Sequence, residues 1–140
     1  MSSGIMKWRK DDLIIVGEVH ATNMLDSLSV SDFGSEVVKV IEKYPGCYLL
    51  LSFEQVEFLS SAALSELIRI HNTAEKNRGV VRLCGISPDI LKVLTITKLD
   101  QMFSIHPKDD VATALDKFRR LAQRAKEERE WADRAQKSKK

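Results

Sequence analysis

The sequence predicts an α/β domain: a mixed, largely parallel β-sheet of four to five strands packed with about four helices, ending in an extended C-terminal helix. Three observations carry this. Short β-branched or leucine-rich runs alternate along the chain with amphipathic helical periods. The run "CYLLLSF", residues 47–53, is too continuously apolar for a sheet edge and fits a central strand buried on both faces. Serine, proline and glycine stand where helices should start and stop. With 140 residues, 44% of them hydrophobic, one core can form without staples.

In order, "DLIIVGEV" within Lys7 to Val19 reads as a strand, with "IMKWR" as a strand before it. "HATNMLDSLSVSD" is polar and reads as a loop. A helix fits Asp32 to Lys43, capped by Ser31, with Phe33, Val37, Val40, Ile41 and Tyr44 on one face; "YPG" ends it. After the central strand, Ser60 and Ser61 open a helix that turns Leu64, Leu67, Ile68 and Ala74 inward and stops at "KNRG", where Gly79 suits a left-handed cap. "VVRLCGI" is the next strand. "SPD" opens the following helix, with Ser87 as cap, Pro88 in the first turn and Ile90, Leu91 and Leu94 buried. A last short strand fits "QMFSI", and "HPKDD" leads into the final helix. Strands alternating with helices imply right-handed crossovers.

Several function classes fall away. A formal net charge of +2, with the basic excess mostly after Asp116, gives no concentrated surface for nucleic acid. The apolar runs "LIIV" and "YLLL" are far below the roughly 18 residues a membrane span requires, and the N-terminus lacks a signal-type apolar region, so a soluble cytoplasmic protein is expected. Cys47 and Cys84 each sit in an apolar run and read as small buried hydrophobes in a reducing compartment. His20, His71 and His106 have no second ligand at zinc spacing. No glycine-rich phosphate loop occurs, and "LSSAA" lacks the glycines of a nucleophile elbow. Neither an enzyme nor a cofactor is expected.

The strand-to-helix junction "FLSSAAL" has two readings. One serine caps the helix, stabilising it by about 1 kcal/mol. Alternatively, a serine there is a favourable phosphorylation site, because the free N–H groups and positive dipole end of the helix hold the added charge without unfolding anything.

The element order and this junction, together with "LLLSFEQVEFLSSAAL", "GVVRLCGISPDILKVL" and "ITKLDQMFSIHPKDDVATAL", resemble the STAS domain family of sulphate transporters and anti-sigma factor antagonists, over roughly Ile5 to Leu115. The resemblance implies residues 1–115 as a single STAS domain and 116–140 as a charged helical extension. It implies that Ser61 takes the place of the serine phosphorylated by a partner kinase, with Ser60, the second choice, where an aspartate is usual and Ala62–Ala63 replacing serine and glycine. The implied function is that of an anti-sigma factor antagonist. It binds an anti-sigma factor that is also an ATP-binding serine kinase, and phosphorylation weakens that binding. The loop carrying Asn23, Met24 and Asp26 is implied as a second contact beside Ser60, Ser61, Ala62 and Ala63. The alternatives are a constitutive STAS scaffold subunit of a larger signalling complex and, on the fold's sheet-end crevice, a small-ligand sensor.

The last helix carries a stripe of Val111, Ala114, Leu115, Phe118, Leu121, Ala122 and Ala125. Beyond it, "KEEREWADRAQKSKK" has little to bury and reads as a solvated helix end. Trp131 is the residue there that offers an anchor to a partner or to self-association.

Overall fold

The computed structural model describes residues 6–11, 13–20, 23–24, 27–106 and 109–138. Strands β1 (Met6–Asp11) and β2 (Ile14–Val19) form an antiparallel hairpin. They are followed by β3 (Asn23–Met24), α1 (Ser27–Lys43), β4 (Tyr48–Ser52), β5 (Phe58–Leu59) and α2 (Ser61–Lys76). Then come β6 (Val80–Cys84), α3 (Pro88–Ile96), a 3-10 turn (Leu99–Gln101), β7 (Ser104–His106) and α4 (Val111–Ser138). The main sheet has the order β1-β2-β4-β6-β7, parallel except for β1, as expected from the alternation of elements.

The pleat sends alternate side chains to opposite faces. Ile15, Leu49, Leu51, Val81 and Leu83 meet α1, α2 and α3 through Phe33, Val37, Ile41, Leu67, Ile70, Ile90 and Leu94, all in one large core. Among the described residues, the other face is covered by α4: Ile14, Val16, Leu50 and Cys84 pack on Ala114, Leu115 and Phe118. Phe118 meets the Tyr48 ring edge-on at 5.5 Å, and the Arg82 guanidinium lies 5.0 Å from its centroid. Arg119 ties α4 to β1 through Asp11 at 2.6 Å. Among the described residues, no helix is long and apolar enough to cross a membrane.

Five local expectations are corrected. Helix α1 starts at Ser27, so Ser31 lies inside it; buried Val30 extends the Phe33–Val37–Ile41 stripe back by a turn. Tyr44 is 42% exposed just past the end of that helix. In α2 the inward stripe is Ala63, Leu67, Ile70 and Ala74, spaced by four, three and four, which turns Ile68 out to 40% exposure. Arg78, at φ 60°, takes the left-handed position expected of Gly79. Gly79 instead lets the chain pass Cys47, whose carbonyl oxygen would stand 3.2 Å from an added Cβ. Finally, β7 begins only at Ser104, because Leu99–Gln101 winds into the 3-10 turn.

Candidate functional site

The parallel strands all end at one edge of the sheet, and the junction that follows β4 lies there. Phe53 N–H donates to the Cys84 carbonyl, and Val56, buried, donates to the Phe53 carbonyl, which turns the chain back toward α2. Gly85 makes room for this turn. Its φ of +67° is left-handed, and an added Cβ would sit 2.4 Å from Glu54 Cγ. Glu54 in turn accepts a 3.1 Å hydrogen bond from Val111 N–H, the first residue of α4. Burial, followed by the negative charge of Glu54, pushes the Cys84 thiol up to about 12, so it stays protonated and serves as packing.

At the start of α2 the two serines do different things. Ser60 is the N-cap: its backbone is extended (φ −79°, ψ 167°), and its Oγ accepts Ala63 N–H at 3.1 Å. Its carbonyl accepts the first intrahelical bond, from Leu64 N–H. Ser61 is the first helical residue and is exposed. Its carbonyl accepts Ser65 Oγ at 3.2 Å, and because Ser60 holds the cap, the exposed Ser61 side chain is not needed for it. The N–H groups of Ser61 and Ala62 precede any intrahelical acceptor, and the first turn contains no acid. The arrangement is a positive helix end with an exposed hydroxyl on it.

Of the other expected contacts, Asn23 and Met24 form β3, which pairs in parallel with Phe58 and Leu59 immediately before the cap. Asp26 lies outside the described residues. Ala62 is exposed, whereas Ala63 is fully buried; its side chain belongs to the core, and its contribution at the junction is the N–H held by Ser60. Phe58 is the residue that the sequence did not single out as a contact. It is 53% exposed on the short β3–β5 ribbon that leads into the cap, and its signal was an aromatic two residues before the serine pair. His20 faces Glu18 at 3.3 Å and His71 faces Glu75 at 3.3 Å, so each ring is engaged within its own neighbourhood rather than with Ser61. Among the described residues, no three His, Cys, Asp or Glu side chains gather as a metal site would need.

A sequence profile for the STAS domain matches residues 9–114. Among solved structures, the fold is similar to a serine-to-glutamate variant of RsbS from Moorella thermoacetica, at 27% identity and a TM-score of 0.70, covering 84% of this chain and 97% of that one. It is similar to an anti-sigma factor antagonist from Mycobacterium paratuberculosis, at 22% identity and 0.68, covering 81% and 92%. A third neighbour is the Bacillus cell fate determinant SpoIIAA in its phosphorylated form, at 17% identity and 0.62, covering 80% and 97%.

Proposed function

Because the chain belongs to the STAS domain family, we propose that it is an anti-sigma factor antagonist: a non-enzymatic module that binds a cognate anti-sigma factor and is switched off by phosphate at Ser61. The partner is then also an ATP-binding serine kinase, and release of a sigma factor is the output. The observation that carries this reading is the division of labour at α2: Ser60 holds the cap, so Ser61 is free to react without loss of helix stability. The kinase transfers the γ-phosphoryl group of ATP to Ser61 Oγ, with loss of the hydroxyl proton and release of ADP. The added charge of nearly −2 sits on the N–H groups of Ser61 and Ala62, and the fold is unchanged. What changes is the surface. Phe58 and Ala62 are exposed and uncharged beside Ser61, with exposed Glu57 bordering them, and a dianion placed there opposes an apolar or acidic partner.

The likeness to neighbours described as an anti-sigma factor antagonist and as a phosphorylated form supports the reading. The test is incubation of the full chain with the cognate kinase and ATP, followed by peptide mass spectrometry. One phosphate on Ser61, absent from Ser61→Ala, is expected. Ser60, where the family usually has an aspartate, favours the second reading, a constitutive scaffold subunit. No added phosphate with partner binding intact would select it.

A further inference from the structure

We draw no further inference here: the strongest candidate, the groove between the β1–β2 hairpin and the end of α1, where Trp8, Ile15 and Tyr44 stand beside Lys10 and Lys43, is an unpartnered surface, and nothing in the structure shows what covers it.

Discussion

Helices α2 and α3 begin in nearly the same way and end up with opposite electrostatic states. Ser60 and Ser87 are both extended N-caps, their side chains accepting the N–H of Ala63 at 3.1 Å and of Ile90 at 3.2 Å. In α3 the next two residues are Pro88, which has no N–H to offer, and Asp89, which places a carboxylate in the first turn. In α2 they are Ser61 and Ala62, with no acid. Helix α4 goes further than α3: Asp110 Oδ1 accepts Thr113 N–H at 2.8 Å, and Glu54 accepts Val111 N–H. Two of these helix starts are thus already neutralised by fixed negative charge. The third is vacant, and it carries the exposed Ser61. A permanent anion stabilises a helix; a missing one leaves room for a reversible anion.

The contrast can be broken in four ways. The largest effect belongs to Ser61→Glu, which installs at α2 the charge that α3 already has. Its affinity for the cognate anti-sigma factor should fall at least ~10-fold, about 1.4 kcal/mol, by calorimetric titration. Equal affinities would sink the gating idea. Next are the caps themselves. Ser60→Ala and Ser87→Ala should each lower the unfolding free energy by about 1 kcal/mol in urea, whereas Ser61→Ala should leave it within about 0.5 kcal/mol. A loss at Ser61 matching that at Ser60 would mean that the two serines share the cap.

Third, the Asp110 carboxyl is held below its ordinary 3.8, chiefly by the Thr113 N–H and then by the Thr113 hydroxyl. A depressed carboxyl stabilises the fold above the ordinary value, and that contribution is lost as pH falls through the folded value. Acid titration followed by the near-ultraviolet signal should therefore show α4 contacts weakening below pH 3.8, and Asp110→Asn should remove this step. The smallest effect is that of Ser61→Glu on stability alone: a rise of about 0.3–1 kcal/mol, because it adds an anion at a positive helix end. A clear drop in Tm would show the α2 start to be already electrostatically satisfied.

What the sequence disclosed follows from how many residues carry each signal. The central strands were legible because "YLLL" and "LIIV" repeat one message over several positions, and the α3 start was legible because Ser87-Pro88-Asp89 specify it three times over. The β3–β5 ribbon was not, since two-residue strands have no period to read. The early start of α1 was hidden by serines alternating with Leu28 and Val30, and the outward turn of Ile68 by its apolar neighbours Leu67 and Ile70. At the site, the two serines were legible as a pair. Their separate jobs depend on which hydroxyl reaches the Ala63 N–H, a matter of backbone angles that residue type does not encode.

Glu54 has a reach that its place in a loop conceals. It is wedged against Gly85, and it holds the first N–H of α4 from the segment that leads to Ser60. Loosening α4 from its face of the sheet removes that tether, while Val56 and Leu59 stay packed in or against the larger core under α1, α2 and α3. In hydrogen-exchange terms, the Val111 amide should open with α4, whereas the Val56 amide, bonded to the Phe53 carbonyl, should open with the larger core. A partner that grips α4 should therefore slow exchange at Val111, the amide that Glu54 holds beside the segment leading to the serine junction.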